Sequence, residues 1–221
     1  MFAHAAGRPR RYNPLAMSEH VIVVGNIGAG KTTAVRGLAA ALGAAPYAER
    51  FERNPYLERA FADPARWAGL SQLWFLGEVA AQHHAIAAAD ALAVQDQSVY
   101  SVFEVMTGHL LDRGAIERDD YEVSARHYAV LCDRLPAPGC VVRLLAPINV
   151  LLERIAARGR GFERGIDAEF LRGIDRRLAE FGRRWERSPL IEVDVTETDL
   201  RDPGHAERLA HTIRATLDEA G

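Results

Sequence analysis

The chain is expected to fold as an α/β domain built on a mostly parallel sheet with helices on both faces. Three observations lead there. Short apolar runs alternate with helix-periodic stretches along most of the sequence. The first apolar run ends in a glycine-rich loop that opens directly into a helix. No repeat or linker divides the 221 residues, a length that suits one domain with a large core.

Residues 1–18 hold Gly7, Pro9, Arg10, Arg11 and Pro14 without a periodic apolar face, and read as a disordered extension. They lack the apolar core of a secretory signal, and Met17 is an alternative start. The folded domain then spans 19–221. Val21-Ile22-Val23-Val24 is the first strand, residues 25–32 a loop and 33–42 a helix. A short second strand lies near 47–49. Asn54-Pro55 starts a helix, with Pro55 at a favoured first-turn position. Asp63-Pro64 starts a long one, whose apolar positions recur at helical spacing to about Ala89. Residues 91–94 form a third strand that ends at Gln95-Asp96-Gln97-Ser98. Helices over 100–111 and 121–135 precede a break at Pro136-Ala137-Pro138-Gly139. A strand at 141–145, a helix at 149–157, the loop Arg158-Gly159-Arg160-Gly161, a helix at 168–185, a strand at 190–195 and a helix at 206–217 complete the order.

Gly25-Asn26-Ile27-Gly28-Ala29-Gly30-Lys31-Thr32 fits the phosphate-binding pattern G-x-x-x-x-G-K-[ST], between the strand and helix that the pattern requires. Its glycines let the backbone turn with amide hydrogens pointing inward. Those amides and the helix N-terminus behind them form an anion site. Lys31 is spaced to reach the β- and γ-phosphates of a nucleotide, and Thr32 to place its hydroxyl on magnesium. Lys31 is also the only lysine among 27 Lys and Arg residues. A chain that uses arginine everywhere else keeps a compact ammonium here, where a planar guanidinium would not fit inside a tight loop of amides.

Composition narrows the partners. A net charge of −3 offers no basic field for a nucleic acid polymer. No apolar run approaches the roughly 20 residues of a membrane span. Cys132 and Cys140 are too few for a disulfide framework and match no metal spacing, so they read as thiols in a reducing, cytoplasmic setting.

From about His20 to Leu217 the chain resembles the deoxynucleoside kinases, which phosphorylate a deoxynucleoside 5′-hydroxyl. Five segments carry the resemblance in order: residues 25–33; Glu49 followed by Asn54-Pro55-Tyr56-Leu57-Glu58; Arg66-Trp67 with Gln72; residues 96–101; and residues 154–163. The last, with its Arg-Gly-Arg-x-x-Glu core, is far more specific than the phosphate loop alone. The resemblance implies a P-loop-type five-stranded parallel sheet with an arginine-rich lid, ATP and Mg²⁺ as cofactors, and a homodimer, for which the helices at 100–111 and 121–135 are candidates.

It also implies roles. Residues Gly25, Asn26, Ile27, Gly28, Ala29, Gly30, Lys31, Thr32 and Thr33, with Arg154 and Arg158, would hold the phosphates. Glu49, at the carboxyl edge of the sheet, would be the general base, with Glu52 close by as the other carboxylate. Asp96 would hold magnesium with Thr32, although it also stands where a helix N-cap would. Arg158 and Arg160 would stabilise the transferring group. Tyr56, Gln72, Gln97, Val102, Met106 and Glu163 would line the acceptor site, Glu163 on the sugar 3′-hydroxyl and Gln72 on the amide-like edge of a base.

The departures from the family cluster in that acceptor half. Phe61 stands for a common Tyr, Val79 for an Arg, Gln97 for an Arg, Val102 for an Asp and Met106 for a Phe. The apolar set favours a tolerant, pyrimidine-preferring pocket. Two other readings remain open here: phosphorylation of another small alcohol or a nucleoside monophosphate, for which Arg50 and Arg53 supply cations, and a non-catalytic nucleotide-binding module.

Overall fold

The computed structural model describes residues 18–89 and 91–220. The N-terminal extension therefore lies outside the described residues, apart from Ser18. In chain order the elements are β1 (Ser18–Gly25), α1 (Lys31–Leu42), β2 (Ala45–Tyr47), α2 (Leu57–Ala62), α3 (Pro64–Ala88) and β3 (Ala93–Asp96). Next comes α4, wound wide with i→i+5 turns over Ser101–Thr107 and as an ordinary helix over Gly108–Asp112. Then follow α5 (Arg118–Cys132), β4 (Pro138–Leu145), α6 (Ile148–Arg158), α7 (Ala168–Arg184), β5 (Leu190–Asp194) and α8 (Pro203–Ala220).

All five strands are parallel, in the order β2-β3-β1-β4-β5. Both faces are covered, which is why β1 reads as an unbroken apolar run. Val21 and Val23 pack against α1, α6 and α8, while Ile22 and Val24 pack against α3, α4 and α7. The period of two along the strand sorts alternate residues into two cores. The central strand β1 carries the glycine loop at its carboxyl end, and β3 beside it ends at Asp96, in register with Val23.

Several boundaries differ from expectation. The second strand ends at Tyr47, so Glu49 stands two residues beyond it in the following loop. The helix expected from Asn54 starts at Leu57, because the Asn54 side-chain oxygen accepts from the Tyr56 amide and closes a local turn instead. β4 starts three residues early, at Pro138; a proline at the first position costs the ladder no donor. The 100–111 helix is almost wholly buried inside the chain rather than offering a free face. By contrast α5 buries none of its residues, and its Val123 and Val130 are exposed.

Candidate active site

The carboxyl ends of β1, β2 and β3 open into a cleft of about 870 Å³. Its floor is the glycine loop. Gly28 and Gly30 adopt φ of 83° and 90°, which other residues rarely hold. Gly28 is also hemmed in: a Cβ there would lie 2.9 Å from the Leu151 carbonyl of α6. Asn26 donates from its side chain to the Leu171 carbonyl of α7 at 2.9 Å. Gly30 precedes α1 with no side chain to cap it, and the first turn has no acidic residue. Its first amides and the positive end of its dipole therefore face the cleft uncompensated, as an anion site requires. The Lys31 ammonium folds back and donates to the Gly25 and Asn26 carbonyls, both at 3.1 Å.

Two acids stand at the cleft floor. The Thr32 hydroxyl donates to Asp96 Oδ2 at 2.8 Å, while Asp96 Oδ1 is buried without a hydrogen-bond partner. Burial raises the Asp96 pKa, opposed by the Lys31 charge and the Thr32 bond. An acid with one oxygen on the loop threonine and one left over would suit a hard divalent cation. Among the described residues no cluster of three His, Cys, Asp or Glu side chains could hold a metal by itself. Glu49 faces the same space. Loss of water and the nearby Asp96 charge push its carboxyl up from 4.5 to about 7, against the pull of Lys31 and Arg160. Asp96 does not act as a side-chain cap for α4. Glu52 also lines the cleft, but it is exposed.

The lid is the segment between α6 and α7. Gly159 ends α6 with φ 68°. Arg158 forks onto Glu163 through Nε–Oε2 at 3.0 Å and Nη2–Oε1 at 2.8 Å, and Arg160 reaches Glu163 Oε1 at 3.4 Å. Arg160 also lies over the Phe51 ring at 3.8 Å. Phe162 packs on Phe61 of α2 and on Phe51, at centroid distances of 5.4 and 6.4 Å. Arg158, Arg160 and Glu163 all line the cleft. Arg154 does not; it donates to the Val195 carbonyl at 2.9 Å.

At the acceptor end, Gln72, Gln97, Val102 and Met106 line the cleft with Phe61 and Phe75. The wide turns of α4 bring Val102 and Met106 onto that wall together. Gln97 holds φ 72°, a strained value for a non-glycine residue, and its side chain accepts from Ser101 at 2.9 Å. Two expected positions fall elsewhere. Tyr56 stacks on Trp67 outside the cleft, and Val79 is fully buried in the core between α3 and the sheet, so it takes no part in the base wall. Arg50 is paired with Glu78, and neither Arg50 nor Arg53 lines the cleft. Cleft residues with no role in the expected site include Arg36, Phe51, Phe162 and Arg113. Arg36 follows Thr32 by four residues on α1, a spacing that places both on one face. Arg113, after α4, sits over the Phe170 ring at 5.5 Å and has no sequence signal.

A parallel five-stranded sheet with a glycine phosphate loop, two acids and an arginine lid at one edge defines a phosphotransferase. The deoxynucleoside kinase family model matches residues 21–218, and the chain belongs to that family. As its relatives do, it transfers a phosphoryl group to a hydroxyl acceptor. A deoxyadenosine/deoxycytidine kinase of Bacillus subtilis is 26% identical over 202 residues, 90% of this chain and 93% of that protein. A deoxyadenosine kinase of Dictyostelium discoideum is 30% identical over 202 residues, 90% of this chain and 79% of that one. A solved structure of deoxyadenosine kinase from M. mycoides with bound dCTP superposes with a TM-score of 0.76, at 22% identity, over 89% of this chain and 99% of that chain.

Proposed function

We propose that this kinase moves the γ-phosphoryl of ATP to the 5′-hydroxyl of a deoxynucleoside, with Glu49 as general base and Mg²⁺ held by Thr32 and Asp96. The observation that carries the reading is the convergence of Glu49, the Thr32–Asp96 pair and the lid arginines on one cleft over an uncapped helix N-terminus. The loop amides and Lys31 bind the donor phosphates; Lys31 leaves the Gly25 and Asn26 carbonyls to do so. Thr32 and Asp96 would hold magnesium, which would supply neutralisation of the phosphate oxygens.

Glu49 takes the proton of the attacking hydroxyl, and a carboxyl raised to about 7 is well matched to that task near neutral pH. Arg158 and Arg160 exchange Glu163 for the transferring group, whose spread charge their forks stabilise. Glu163, once released, is free to hold the sugar 3′-hydroxyl. Gln72 pairs with the base, and apolar Val102 and Met106 favour a pyrimidine over guanine. The relatives bear the names of deoxyadenosine, deoxycytidine and deoxyguanosine kinases. Two free cysteines suit the cytoplasm. The exposed α5 face, with Val123 and Val130, suits a homodimer.

The test is competitive turnover of the four deoxynucleosides with ATP and magnesium. Deoxycytidine or thymidine should be consumed first. A strong preference for deoxyguanosine overturns the base reading, and no turnover of any overturns the acceptor.

A further inference from the structure

Glu49 sits in a loop, not on a strand, yet its position decides whether it can meet an acceptor proton. What fixes it is α3. Gln82, buried on α3, donates from Nε2 to the Ala48 carbonyl at 3.1 Å. Its Oε1 accepts from Gln95 Nε2 at 3.2 Å, and the same Gln95 nitrogen reaches the Val79 carbonyl at 3.1 Å. On the other side of Glu49, Arg50 pairs with Glu78 at 3.3 Å. Glu78 and Gln82 are one turn apart on α3, so one helix face holds both chain neighbours of Glu49. The two tethers are unequal. Arg50 is half exposed, and such pairs contribute little. The Gln82 bond is part-buried and its donor is buried, so its loss costs more than that of an exposed pair.

Gln95 adds a second connection. It immediately precedes Asp96 on β3. The chain Ala48–Gln82–Gln95 therefore joins the residue before Glu49 to the residue before Asp96 through buried side-chain amides. We infer that Gln82 is a positioning residue for the phosphoryl transfer: it fixes Glu49 relative to Asp96 without touching substrate. The inference rests on Glu49 being the base.

The experiment compares Gln82→Met, which keeps length and apolar bulk but cannot donate, with Glu49→Gln and the double variant. Gln82→Met should lower kcat roughly tenfold, since small misplacements of a reacting group are costly. The KM for ATP should stay within about twofold, because the phosphate loop is untouched. In the Glu49→Gln background the Gln82 change should cost nothing further. Gln82→Asn, whose amide is withdrawn by one methylene, carries the same expectation and serves where Gln82→Met does not fold. Full kcat in a Gln82 variant overturns the inference while leaving Glu49 as base. An equal loss in both backgrounds also overturns it, because the role is then structural. Near-normal turnover of Glu49→Gln overturns the base reading itself, and this inference falls with it.

Discussion

Arg158 spans both carboxylate oxygens of Glu163, at 3.0 and 2.8 Å, and Glu163 is 5% exposed. The lid thus carries its own internal counter-ion. Two charge-assisted bonds on one fork are among the stronger polar contacts in a protein.

Removing the counter-ion separates its two roles. Glu163→Ala should leave Arg158 and Arg160 without their partner, so amide exchange across residues 158–165 should quicken in the free enzyme. The acceptor KM should rise for a 2′-deoxynucleoside but not for its 2′,3′-dideoxy analogue. A parallel rise for both would show that Glu163 acts only on the arginines.

ATP with magnesium should have the opposite effect on the wild-type lid. Exchange over residues 158–165 should slow on saturation, as the arginines move from Glu163 to phosphate. Unchanged exchange would count against clamping by this segment.

Lys31 and Glu49 should fail in different ways. Lys31→Ala should impair ATP use with every acceptor, seen as a raised ATP KM. Glu49→Gln should bind ATP normally while kcat drops by on the order of 10²-fold or more. In the wild type, kcat/KM should fall as pH drops below about 7, where Glu49 takes up its proton. That acidic limb should vanish from the residual activity of Glu49→Gln.

The same carboxyl affects stability. Its folded pKa of about 7 lies above the ordinary 4.5, so between these values the folded state holds a proton that the unfolded chain has released. Stability therefore declines as pH rises through that window. Glu49→Gln has no such proton to lose. It should melt above the wild type at pH 8, by about 2–4 °C for each kcal/mol relieved, and match it at pH 4.5. Calorimetry of the ligand-free proteins at both pH values checks the sign.

Much of this was legible in the chain. β1 and its loop announce themselves because a strand buried on both faces must be apolar throughout, and because a phosphate loop needs glycine where φ is positive. Thr32 and Asp96 follow from local patterns at two neighbouring strand ends, and the 2.8 Å bond joins them. Tyr56 and Val79 lie away from the cleft for a different reason. Helical spacing tells which residues share a face but not what that face meets, and Val79 turns to the sheet while Gln72 turns to the cleft. Arg113 and the Gln82–Gln95 link arise only when distant segments pack, and no spacing rule reaches across them.

Gly28 gives the loop a mechanical meaning. The Leu151 carbonyl lies so near that a single added carbon would strike it, and Asn26 grips α7 from the other side. The two helices that bracket the lid therefore rest on the phosphate loop as levers rest on a fulcrum. An alanine at 28 would act as a wedge beneath α6 and tilt the arginines at its far end. The segment that carries the arginines is thus seated on the loop at both its roots, and a change of shape in one is felt directly by the other.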